Sequence, residues 1–178
     1  MRTASGVLVT AAFRHDGAAR ALVHQLKYSG SPEAAAFLGR AIAARVPVSA
    51  TGIVAVPRAR LRAWRHGVDP ATALAREVAR HTGLPCVAAL RPGWWWPRHA
   101  GRRGPVRSAP TWTLRRPAEE GWVLIDDVAT TGSTLATAAV VLGGPPRLAF
   151  VATCPSRVSG VGVTMPRREG TPPSWEVV

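Results

Sequence analysis

Apolar positions along this chain fall into short uninterrupted runs, separated by segments with a helical period. Val7 to Phe13, Gly52 to Val56, Cys86 to Leu90, Trp122 to Ile125 and Leu148 to Thr153 are mostly apolar and too short for helices, so they predict strands. Between them, Gly17 to Tyr28 places Ala18, Leu22, Val23 and Leu26 on one helical face. Ser29-Gly30-Ser31-Pro32 breaks that pattern, and Pro32 suits the first turn of a second helix running from Glu33 to about Val46. Pro70 to Thr82 predicts a third helix, stopped by Gly83-Leu84-Pro85. The Ala-rich stretch after Gly132 predicts a fourth, ending near Leu142. Strands alternating with helices imply an α/β fold with a largely parallel sheet flanked by helices. At 178 residues the chain fits one domain with a sizeable core, and the segment after Pro155, without a clear period, reads as a loose tail. In such a sheet the binding loops belong at the carboxyl ends of the strands.

One strand end carries unusual chemistry. Trp122 to Ile125 runs straight into two carboxylates, Asp126 and Asp127, and then into Ala129-Thr130-Thr131-Gly132-Ser133-Thr134. Adjacent aspartates repel each other, and a fold seldom needs both. Carboxylates accept hydrogen bonds from ribose hydroxyls. Loop amides, the Thr and Ser hydroxyls and the positive end of a helix dipole surround a phosphate. Gly132 lets the backbone approach closely, and Ser133 or Thr134 would cap the helix. The Gly-x-x-x-x-Gly-Lys pattern of a P-loop is absent. The strand that ends at Pro57 is followed by a basic loop holding Arg58, Ala59, Arg60, Arg62, Arg65 and His66, which suits either a pyrophosphate or solvent.

Charge sharpens the picture. The formal net charge is +13, which suggests polyanionic partners. Of 23 basic residues only Lys27 is lysine, a skew that looks like GC-rich coding and lowers the weight of the total. No acid lies between Glu77 and Glu119, while Arg80, Arg91, Arg98, Arg102, Arg103, Arg107, Arg115 and Arg116 do. That block is either a solvated basic loop or an anion-binding element. Trp94-Trp95-Trp96 within it would stack single-stranded bases over a basic groove, or form an apolar loop or dimer contact. No apolar run approaches the length of a transmembrane helix, and the N-terminal run reads as a strand rather than a signal peptide. Cys86 and Cys154 lack metal-ligand spacing and read as buried thiols, consistent with a cytoplasmic location.

The stretch WVLIDDVATTGSTL, Trp122 to Leu135, resembles the phosphoribosyl-pyrophosphate (PRPP) motif of type I phosphoribosyltransferases. The resemblance implies that Asp126 and Asp127 hold the ribose 2′- and 3′-hydroxyls, that Ala129 to Thr134 cradle the 5′-phosphate, and that Pro57, Arg58, Ala59 and Arg60 bind pyrophosphate. The order LVHQLKYSG, IVAVPRARLRAWRHG and VLIDDVATTGSTL is similar to the ComF-type family, linked with competence and DNA uptake, over residues 7 to 155. It implies a phosphoribosyltransferase-like domain over residues 1 to 155, with a small N-terminal hood, and a homodimer. The chain departs from that family in three places. It has no N-terminal cysteine zinc ribbon, its Arg65-His66-Gly67-Val68-Asp69 replaces Arg-Gly-Phe-Asn, and Arg98 to Pro110 has neither Gln nor Asn.

The implied reaction displaces pyrophosphate from C1 of PRPP by a nucleophile. Mg²⁺ would bridge pyrophosphate and ribose oxygens near Asp126 and Asp127. Arg102, Arg103 or Arg107 would close over the site as catalytic cations on a loop containing Gly101, Gly104 and Pro105. Thr130 stands where oxopurine-salvaging relatives carry an aspartate, which disfavours hypoxanthine and guanine as acceptors. His66 and His99 are other acid–base candidates, or plain surface residues. Two further functions stay open: a PRPP or nucleotide sensor without catalysis, and a single-stranded DNA binder.

Overall fold

The central strand explains the sheet. Trp122, Val123, Leu124 and Ile125 are all buried, and consecutive apolar residues belong on a strand covered on both faces. In the computed structural model, β6 (Trp122–Val128) pairs in parallel with β2 (Gly52–Ala55) on one side and β7 (Leu148–Cys154) on the other. β1 (Leu8–Arg14) lies beyond β7, and β3 (Cys86–Val87) beyond β2. The order is β1-β7-β6-β2-β3, with every pairing parallel. The structure describes residues 6–58, 68–93, 112–144 and 148–155.

Helices cover both faces. On one, Ile53, Val123, Ile125, Phe150 and Ala152 pack with Leu26, Leu38, Ile42, Leu74 and Val78. Those partners come from α1 (Gly17–Ser29), α2 (Pro32–Ala43) and α3 (Pro70–Thr82). On the other, Val54, Leu124 and Val151 pack with Trp112 and with Leu135 and Ala138 of α4 (Ser133–Val141). The helix starts are written locally. Ser31 Oγ accepts the Ala34 N–H at 3.1 Å ahead of Pro32, and Asp69 Oδ1 accepts the Ala71 N–H at 3.2 Å ahead of Pro70. The architecture is α/β, a parallel sheet flanked by helices, as the pattern implies. No helix among the described residues is long and apolar enough to cross a membrane.

Three expectations are corrected. Cys86 to Leu90 is not one strand. β3 stops at Val87, and β4 (Leu90–Pro92) pairs antiparallel with β5 (Trp112–Leu114) in a separate two-stranded sheet. β5 hides inside the basic segment because three residues are too few to display a period. Among the described residues, β1 is an edge strand of the main sheet and α2 packs on α3. Cys86 is exposed on an edge strand, whereas Cys154 is buried between β1 and the sheet core. Finally, β6 continues through both acids to Val128, held by pairing with Val151 and Thr153 of β7.

Candidate functional site

The site gathers where β6, β2, β1 and β7 end. Between β6 and α4, Ala129 is buried and its N–H donates to Thr153 O at 3.2 Å, which anchors the loop to β7. Thr130 and Thr131 are exposed. Gly132 takes φ 74°, in the left-handed region that favours glycine, and serves as the N-cap of α4. The expected cap by Ser133 or Thr134 does not form: both lie inside the first turn, and the N-cap makes no side-chain hydrogen bond. Instead the Ser133 N–H donates to Thr131 Oγ1 at 3.4 Å, and the Thr131 hydroxyl donates to Ser133 Oγ at 3.0 Å. A helix start with two hydroxyls and no capping side chain concentrates donors and the positive end of the dipole in one place.

The two acids leave the strand on opposite faces. Successive strand residues point to opposite faces, so Asp127 shares the face of Val123 and Ile125, and Asp126 that of Leu124. Asp127 is 6 % exposed and its Oδ2 meets two cations, Arg58 Nη2 at 2.5 Å and Lys27 Nζ at 3.3 Å. The Arg58 N–H in turn donates to Asp69 Oδ2 at 3.1 Å. Asp69 thus caps α3 with one oxygen and holds the β2 loop with the other; burial pushes its pKa up, against the hydrogen bonds from Arg58 and Thr72. Asp126 is half-buried, and its Oδ1 accepts the Asp127 N–H at 2.8 Å. Burial, and then the charge of Asp127, place its pKa well above the usual carboxylate range.

Two further contacts complete the rim. The Trp112 indole donates to Pro57 O at 2.9 Å in a buried position, so β5 is tied to the strand end that carries Arg58. His15, just after β1, shares a 2.8 Å hydrogen bond between Nδ1 and Thr153 Oγ1, and its N–H donates to Cys154 O at 2.8 Å. Burial lowers the His15 pKa, and Lys27 and Arg20 add to that, which favours the neutral ring.

The structure therefore brings together Asp126, Asp127, Ala129, Thr130, Thr131, Gly132, Ser133, Thr134, Pro57 and Arg58. Ala59, Arg60, His66, Arg102, Arg103, Arg107, His99 and Trp94 to Trp96 lie outside the described residues. Sequence reasoning did not assign Lys27, His15, Asp69 or Thr153 to the site. The partners of Lys27, His15 and Thr153 are far away in the chain and are brought near by the parallel sheet, while Asp69 reaches back across the loop to Arg58.

For a magnesium ion the fit is narrow. Among the described residues no three His, Cys, Asp or Glu side chains cluster as a metal site. Asp127 already faces two cations, so Asp126 is the carboxylate available, and the remaining ligands would come from a bound phosphate and water, a habit of Mg²⁺.

No protein-family model and no curated protein sequence matches this chain.

Proposed function

We propose that this chain is a PRPP-binding domain of the type I phosphoribosyltransferase kind, of ComF type, that transfers the phosphoribosyl group to a nucleophilic acceptor. One observation carries the reading. Two acids at the carboxyl end of the central strand lead directly into a helix start without a side-chain cap, with Arg58 beside them.

In this reading the amides and hydroxyls of Thr130 to Thr134 receive the 5′-phosphate. The acid pair receives the ribose 2′- and 3′-hydroxyls: Asp126 from one face, and Asp127 through Oδ1, since both cations sit on Oδ2. Pro57 and Arg58 lie beside the pyrophosphate. As the C1–oxygen bond breaks, positive charge develops on the ribose ring and negative charge on the departing pyrophosphate. Arg58 stabilises the latter, and the acids favour the former. The bond from C1 to the acceptor forms as pyrophosphate leaves, and the acceptor gives up its proton. Mg²⁺, when bound, supplies Lewis-acid stabilisation of the leaving oxygens, with Asp126 as its carboxylate.

Calorimetric titration of PRPP with Mg²⁺ tests this. Micromolar binding to the wild type, lost in the Asp126→Asn/Asp127→Asn double variant, supports it. A folded wild type that binds no PRPP removes it.

A further inference from the structure

Lys27 is the single lysine of the chain. It sits in the last turn of α1, three residues before Gly30. Gly30 takes φ 63°, and a Cβ added there would come within 2.6 Å of Val68 Cγ2. The end of α1 is thus seated against Val68, whose neighbour Asp69 accepts the Arg58 N–H. One seam therefore fixes both cations that meet Asp127 Oδ2.

Arg58 alone would neutralise that carboxylate. Bringing a second cation to 21 % side-chain exposure adds a desolvation cost. Both cations crowd one oxygen, Asp127 Oδ2, and each keeps donors that this oxygen does not take. An ammonium carries three donors, of which Asp127 takes one. We propose that Lys27 and Arg58 together form a seat for the diphosphate group of the ligand, and that Asp127 holds both cations in place before it arrives. This rests on the phosphoribosyl reading and adds to it a diphosphate-binding residue from the N-terminal helix. A diphosphate carries more charge than one guanidinium balances, and its oxygens accept from a compact, rotatable ammonium without fixed fork geometry.

The test is calorimetric titration of inorganic pyrophosphate, and separately of ribose 5-phosphate, into the full chain. Lys27→Ala should weaken pyrophosphate binding by about tenfold or more, the weight of a charge-assisted contact, and leave ribose 5-phosphate unchanged. Lys27→Arg should recover part of the loss. Unchanged pyrophosphate affinity in Lys27→Ala, with ribose 5-phosphate still bound, overturns the role of Lys27 and leaves the phosphoribosyl reading standing. A wild type that binds neither overturns both. A second measurement needs no variant. Apart from the α-amino group, Lys27 is the only amine available to an acylating reagent, so mass mapping reads its modification directly. Pyrophosphate should slow that modification and ribose 5-phosphate should not; a rate indifferent to pyrophosphate overturns the proposal.

Discussion

Asp126 and Asp127 are neighbours in the chain, yet they serve different layers of the molecule. Asp127 turns to the layer built by α1, α2 and α3, where Lys27 and Arg58 neutralise it. Asp126 turns to the α4 layer; its Oδ1 bonds the Asp127 N–H, and burial disfavours its charge. Two like residues, one bond apart, are therefore held in opposite electrostatic conditions. One is satisfied by the fold, and the other carries its charge at a cost. The alternation of a strand is what allows this, because it sends consecutive side chains to opposite faces.

Breaking the satisfied side should have the largest effect. Asp127→Ala leaves Lys27 and Arg58 partly buried without their shared anion, and should cost about 3 kcal/mol of stability. Urea unfolding followed by tryptophan fluorescence measures it, since Trp112 and Trp122 are buried. A next, smaller effect lies on the α4 side. Gly132→Ala forces an L side chain to φ 74°, costing about 1–2 kcal/mol, and should weaken ribose 5-phosphate binding as the α4 start is displaced. Arg58→Ala should cost less, since Lys27 still faces Asp127 and the arginine side chain is 24 % exposed, yet it should weaken pyrophosphate binding.

The smallest effect has the opposite sign and sharpens the contrast most. The folded-state pKa of Asp126 is raised, so its ionisation opposes folding. Below the ordinary carboxylate range the group is protonated in both states and the cost is absent. The cost grows as pH rises through that range and levels off above the raised folded value. Asp126→Asn should therefore be no more stable than wild type in acid and more stable near neutral pH, while PRPP affinity falls. Melting temperatures across pH check this. A neutral-pH loss of stability like that of Asp127→Ala would erase the distinction between the two faces.

Much of the fold was legible because each element states its own limits. The all-apolar run Trp122 to Ile125 marks a central strand, and Ser31-Pro32 and Asp69-Pro70 mark helix starts. The β6–α4 loop was legible too, because its acids, hydroxyls and glycine are contiguous. What was not legible depends on distance in the chain. The Lys27–Asp127 and His15–Thr153 contacts arise from β1 and α1 being laid beside β7 and β6. β5 was hidden by its length, and its role emerges only from pairing with β4 and from the Trp112 bond to Pro57. The misread cap of α4 has a local cause: Gly132 already occupies the position that Ser133 or Thr134 would need.

The most direct test of the account is backbone amide hydrogen exchange with and without PRPP and Mg²⁺. Binding should slow exchange at residues 129 to 134 and around Arg58, with the rest of α4 unchanged. Binding that leaves those amides as fast as before, and protects another part of the chain, would contradict it.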